Sequence, residues 1–149
     1  MTAPKREAAQ EIAELTFQLL ANCQAKEERL AEQFDVTVAE FRCLRAFRGA
    51  REAHVGTLVQ RIQLSPSRVT RILEGLEKRK YLVRSIDPAD RRNIIAVLTP
   101  RGVTLNTQLE ERYVRMHEEI MSGIPAELHG SLVDGLRNLL GSLTTWLTK

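Results

Sequence analysis

The chain has little of what would place it in a membrane, outside the cell or among the enzymes. No apolar run approaches the roughly 20 residues that span a bilayer. The start, MTAPKREAAQEIAEL, carries acidic residues where a secretory signal needs an uninterrupted apolar core, so no membrane partner and a cytoplasmic location are expected. Two cysteines, Cys23 and Cys43, are too few for a disulfide framework and lack the CxxC spacing of a zinc knuckle, so both are expected to be reduced. None of His54, His117 and His129 has a histidine partner four residues away, and although His117-Glu118 could contribute to a metal site, a lone helical histidine is more often ordinary surface, so neither metal nor cofactor is expected. A nucleophile motif, paired carboxylates and a glycine-rich phosphate loop are all missing, which argues against an enzyme. Repeats, low-complexity tracts and Gly/Ser linkers are missing too. The 149 residues, 43% of them apolar, are enough for one compact unit with a core.

What is present is an uneven charge. The net charge is only +3, but between Arg61 and Arg101 ten Lys and Arg face four acids, a local balance of +6 that leaves −3 for the rest. A basic middle between acidic ends suggests a polyanion-binding module carried on arms with another task.

The spacing of apolar residues predicts the elements. Residues 5–34 place Ile12, Leu15, Leu19, Cys23, Leu30 and Phe34 at helical intervals without Gly or Pro, and predict one long amphipathic helix. TVAE has the form of a capping box and opens a second helix that reaches Phe47 and buries Phe41, Leu44 and Phe47. RGAREAH reads as a polar loop, and VGTLVQRIQL as a short third helix. In LSPSRVTRILEGLEKRK, Ser65 is the N-cap and Pro66 the first helical residue; Val69, Ile72, Leu73 and Leu76 face inward, while Ser67, Arg68, Thr70 and Arg71 face outward. Strands are expected at 81–86 and 94–99, joined by DPADRRN. Thr99 and Pro100 start a helix running to about Met121, and GIPAEL restarts the last one. There Leu128, Leu132, Leu136, Leu139, Leu143 and Trp146 form a heptad-like seam, which Gly130, Gly135 and Gly141 weaken by about 1 kcal/mol each relative to Ala.

A short helix, a tight turn and a second helix whose exposed first turn reads Ser, Arg, Thr, Arg is the layout of a helix-turn-helix. Arginine can fork onto guanine O6 and N7, and Ser and Thr can bond phosphate or a base edge. Plain solvation also produces a basic helix face, so the hairpin that follows carries weight. It reads as a wing whose tip arginine suits a narrow minor groove: Arg92 is the expected groove contact, Arg91 meets a phosphate or solvent, and Asp90 orients the Arg92 guanidinium. Arg84 and Lys78 are candidates for phosphates, although Lys78 can equally pair with Glu74 at helical spacing.

The stretch LSPSRVTRILEGLEKRKYLVRSIDPADRRNIIAVLTPRG resembles the winged core of the MarR family of bacterial transcriptional regulators. The resemblance lies in a helix starting at Ser with VTR, then LE, a basic turn, LV.R, a wing ending D.R, and LT..G. The resemblance spans about forty residues, and the flanking helix pattern is similar as well. One position departs: Lys80 stands where the family usually has glycine after the recognition helix.

The resemblance implies a mainly α, winged helix-turn-helix fold with long N- and C-terminal dimerisation helices: 1–36 for the first, 37–99 for the DNA-binding core and 100–149 for the last. It implies a homodimer on double-stranded DNA, with two recognition helices roughly 34 Å apart on a pseudo-palindromic site. It also implies a repressor released by a small-molecule effector bound near Phe17, Leu20 and Phe41. Two alternatives remain open. One is a thiol-based redox regulator using Cys23 or Cys43, although both thiols read first as inert packing on apolar helix faces. The other is a protein-interaction module whose basic face binds an acidic partner.

Overall fold

The computed structural model describes residues 3–149. Helix α1 (Ala3–Gln33) ends in a Schellman turn: Val36 N donates to Ala31 O (3.1 Å), Asp35 N donates to Glu32 O (3.3 Å), and Asp35 sits at φ +53°. The capping box starts α2 (Val38–Ala46), with Glu40 N donating to Thr37 Oγ1 at 3.0 Å and Thr37 N donating to Glu40 Oε1 at 3.1 Å.

The segment expected to be a polar loop is corrected at its end, where residues 52–54 form a strand, β1 (Glu52–His54). Nothing in Glu-Ala-His favours a strand by itself, since it has none of the Val, Ile, Thr, Tyr, Phe or Trp that strands favour. The strand exists because the edge of β3 (Ile94–Leu98) offers backbone groups to pair with, in the register Glu52↔Val97, Ala53↔Ala96, His54↔Ile95. On the other side of β3 lies β2 (Leu82–Ile86), also antiparallel, so the sheet order is β1-β3-β2.

Between β1 and β2 come α3 (Val55–Ile62), closed by Gln63 at φ +60°, and α4 (Pro66–Lys78). As expected, Ser65 caps α4, its Oγ accepting from Arg68 N, with Pro66 at the first position. Helix α4 ends in a second Schellman turn: Tyr81 N donates to Leu76 O (3.0 Å), Lys80 N donates to Glu77 O (2.9 Å), and Lys80 lies at φ +64°. The family's usual glycine is thus replaced by a lysine that itself takes the left-handed conformation.

Thr99 joins the sheet to α5 (Pro100–Met121): its hydroxyl donates to Lys80 O at 2.7 Å and accepts from Gly102 N at 3.1 Å. Gly102 is required here, because a Cβ would stand 1.8 Å from Tyr81 O. The restart at GIPAEL is a 3₁₀ turn (Ala126–Leu128) leading into α6 (His129–Leu147).

The chain divides into two compact units, one ending at Glu110 and the other running Glu111–Lys149. The first has a closed core in which Leu30, Phe41, Leu44, Phe47, Leu58, Leu73, Leu82 and Leu98 are all buried. In the second, α6 buries no residue: Leu132, Leu136, Leu139, Leu143 and Trp146 are all exposed. Among the described residues no helix is long and apolar enough to cross a membrane.

Candidate nucleic-acid interface

Two elements project charge from the first unit. On α4, Val69, Leu73 and Leu76 are buried, which by helical period turns Ser67, Arg68 and Arg71 to solvent. Neither Arg68 nor Arg71 forms an ion pair among the described residues, so both guanidiniums are available to an external acceptor. Ser67 Oγ lies 3.3 Å from the capping Ser65 Oγ. Half-buried Thr70 gives its hydroxyl proton to Pro66 O at 2.9 Å, which leaves the oxygen as an acceptor and the methyl as an apolar contact.

The wing tip is organised by two aspartates. Asp87 Oδ1 accepts from Ala89 N at 2.9 Å, and its Oδ2 lies 3.5 Å from His54 Nε2 of β1. Asp90 grips Arg92 in a fork, with Arg92 Nε on Oδ1 and Nη2 on Oδ2, each at 3.1 Å, while Arg92 N also donates to Oδ1. The Arg92 side-chain hydrogen bonds, followed by its backbone bond, hold the Asp90 carboxyl below its ordinary range, so the pair is charged at neutral pH. Arg92 itself is 90% exposed, a cation held in direction but not covered. Arg91 is exposed and makes no ion pair among the described residues.

Other arginines of the basic middle have partners within the protein. Arg61 Nη1 donates to Ala46 O at 2.7 Å at the end of α2. Arg84 forks onto Glu77 Oε2, with Nε and Nη2 each at 2.9 Å, so any phosphate must compete with a carboxylate already in place. Arg79 and Arg101 both lie against the Tyr81 ring, their guanidinium carbons 5.1 and 4.8 Å from its centroid. The sequence counts Glu77 only as one acid of the basic middle, because its pairing with Arg84 runs from a helix to a strand seven residues on and follows no helical period.

The remaining candidates separate. Phe17 is 73% exposed and Leu20 is exposed on α1, whereas Phe41 is 1% exposed in the core; the three do not share a lining surface within the chain. Cys43 is buried, and its thiol is pushed up to about 12, first by desolvation and then by the charge of Glu40. Cys23 is half-buried, with Lys26 Nζ 3.8 Å from its sulfur. His117 Nδ1 lies 2.8 Å from Tyr113 O, and His129 Nε2 lies 2.9 Å from Ile124 O. Among the described residues no three His, Cys, Asp or Glu side chains are placed to hold a metal ion.

A family profile described as MarR family matches residues 34–93, which takes in α2, the helix-turn-helix and most of the wing. An uncharacterised HTH-type transcriptional regulator, YhbI of Bacillus subtilis, is 31% identical over 117 residues, covering 78% of this chain and 73% of that protein. The chain belongs to the MarR family. The likeness extends to solved structures. A MarR family protein from Bacillus stearothermophilus superposes with a TM-score of 0.82 at 18% identity, over 93% of this chain and 97% of its own. BpsR of Bordetella bronchiseptica, a protein whose DNA binding is regulated by 6-hydroxynicotinic acid, does so with a TM-score of 0.65 at 25% identity, over 84% of this chain and 98% of its own. The chain is therefore a winged-helix, DNA-binding transcriptional regulator, and MarR family proteins of this kind are not enzymes.

Proposed function

We propose that this MarR family protein is a homodimeric repressor that binds a pseudo-palindromic operator in the cytoplasm and is released by a small-molecule effector. The observation that carries the reading is the pairing of an outward row on α4 with a directed arginine on the wing. Ser67, Arg68, Thr70 and Arg71 lie in the first turns of a helix, where a recognition helix meets base edges in the major groove. Arg68 and Arg71 suit guanine, and Arg92, aimed by Asp90, suits the adjacent minor groove; Arg91 and, in competition with Glu77, Arg84 serve the phosphates. The exposed apolar row on α6 supports the homodimer, since a two-fold partner brings an identical row to cover it.

Effector release has support from BpsR, whose DNA binding responds to a hydroxynicotinic acid. A ligand shifts the equilibrium only if it prefers the dimer geometry in which the recognition helices are misplaced. Phe17 and Leu20, exposed on α1, are the candidate lining residues; Phe41 is buried in the core and would take part only through repacking.

A second reading, thiol control of the same DNA complex, rests on Cys23 beside Lys26; burial and a raised thiol pKa count against Cys43. The experiment for both is selection of bound sequences from a random duplex library, with the protein reduced and then peroxide-treated. Enrichment of a palindrome is the expected result, and its loss on oxidation would transfer control to Cys23. Weak binding without enrichment that vanishes as salt rises would instead leave only nonspecific electrostatics and favour an acidic protein partner.

A further inference from the structure

We propose that Arg79 is a positioning residue for DNA reading: it locks the far end of α4 to the end of α1 and the start of α2, and so fixes where Ser67, Arg68 and Arg71 stand. The inference rests on the reading of α4 as the recognition helix.

Arg79 is the C-cap of α4, at the opposite end from Ser67. Its guanidinium reaches two acidic groups of the preceding helices. Nη1 lies 3.6 Å from Glu40 Oε2 and Nη2 lies 3.5 Å from Asp35 Oδ2. The two are not equivalent. Asp35 is fully exposed and its pairing is screened, whereas the Glu40 side chain is 12% exposed. Glu40 Oε1 is engaged in the capping box of α2, while Oε2 is buried and accepts no hydrogen bond among the described residues. A buried carboxylate oxygen in that position needs a compensating charge, and the Arg79 guanidinium supplies it.

The other side of the same guanidinium lies over Tyr81, whose ring is shared with Arg101 of α5, and Arg101 Nη2 donates to Tyr81 Oη at 3.4 Å. The lock therefore joins the ends of two helices that both finish in Schellman turns on non-glycine residues, Asp35 at φ +53° and Lys80 at φ +64°. Backbone bonds alone set each turn. The Arg79 side chain adds a polar link between them to the apolar packing of α2 against α4.

The mechanical consequence is large. Helix α4 has 13 residues, so at a rise of about 1.5 Å per residue it is a lever roughly 20 Å long. A tilt of about 10° at the Arg79 end displaces the Ser67 end by about 3 Å, a full hydrogen-bond length. Loss of the lock should therefore damage base reading while leaving the phosphate-binding charges in place.

The test uses the full-length protein, a palindromic duplex enriched by selection and a scrambled duplex of the same composition, with anisotropy titrations over a range of salt. Arg79→Gln is expected to weaken binding to the selected duplex about tenfold, a loss on the scale of one mismatched base pair. Its affinity for the scrambled duplex and its slope of log K against log salt should stay at the wild-type values, because no phosphate contact is lost. Arg79→Lys should recover part of the ratio, since an ammonium keeps the charge opposite Glu40 but cannot lie flat on the Tyr81 ring. Should Arg79→Gln fold poorly, Tyr81→Leu reads the same ratio and is expected to lower it about threefold. Equal loss on both duplexes would reduce Arg79 to a stability role and overturn the proposal. A salt slope lower by about one would make it a phosphate contact and overturn it as well. A wild-type protein that enriches no palindrome would overturn the reading of α4 itself, a failure distinct from that of Arg79.

Discussion

The winged core and helix α6 use apolar residues in opposite ways. In the core, side chains such as Phe41, Leu44 and Leu73 are out of solvent within one chain, whereas every large apolar side chain of the α6 seam remains exposed. The core is finished by its own sequence. On the proposed dimeric reading the seam is half of an interface, because apolar surface on this scale is stable in water only when something covers it. Damage to the core should therefore be independent of protein concentration, while damage to the seam should not.

The largest effect is expected from Phe41→Ala, which empties a fully buried site and should lower stability by about 3–5 kcal/mol in urea unfolding, equally at low and high protein concentration. Its counterpart Leu136→Asp, on the exposed seam, should leave the circular dichroism of the winged core intact while converting dimer to monomer in analytical ultracentrifugation. A dimer that survives Leu136→Asp would break the contrast between the two regions.

Next in size, Arg68→Ala or Arg71→Ala should weaken binding to the selected duplex by about 1–3 kcal/mol and relax preference at one base position, with dimerisation unchanged. Arg92→Ala should also weaken the complex, through the wing alone. Anisotropy titrations in which all three variants bind like wild type would refute the docking geometry.

A smaller, opposite effect is expected from Lys80→Gly. At φ +64° a lysine carries a penalty that glycine does not, so the substitution should raise stability by about 1 kcal/mol, visible as a higher Tm.

The smallest test is chemical. With its folded value at about 12 against 9.0 for a free thiol, Cys43 stays protonated where the unfolded chain would ionise. Its contribution to stability is complete below pH 9.0 and falls as pH rises toward about 12, because there the unfolded state binds fewer protons. Iodoacetamide at pH 8 should accordingly spare Cys43 until denaturant is added, and rapid labelling of Cys43 in the native protein would contradict its place in the core.

Much of this was legible in the residues. The capping box of Thr37 and Glu40, the Ser65-Pro66 start of α4 and the Thr99-Pro100 start of α5 are local chemistry and formed where the sequence put them. The outward row on α4 followed from helical period, and the Asp90-Arg92 contact lies two residues apart within one turn. Strand β1 was not legible, because its reason lies in the edge of β3, some forty residues away. Nor was the division of the arginines. Counted as charge, Arg61, Arg79, Arg84 and Arg101 equal Arg68 and Arg71, yet each of the first four is tied to a partner within the protein.

The sequence by itself determined the helices, their caps, the wing and the side of α4 that faces outward, because these depend on periodicity and on hydrogen bonds between residues a few positions apart. Only the tertiary structure decided which cations are free and which are fastened, because that depends on the carboxylates and rings folding brings beside them. Glu40 and Arg79 are thirty-nine positions apart in the chain and 3.6 Å apart in the protein.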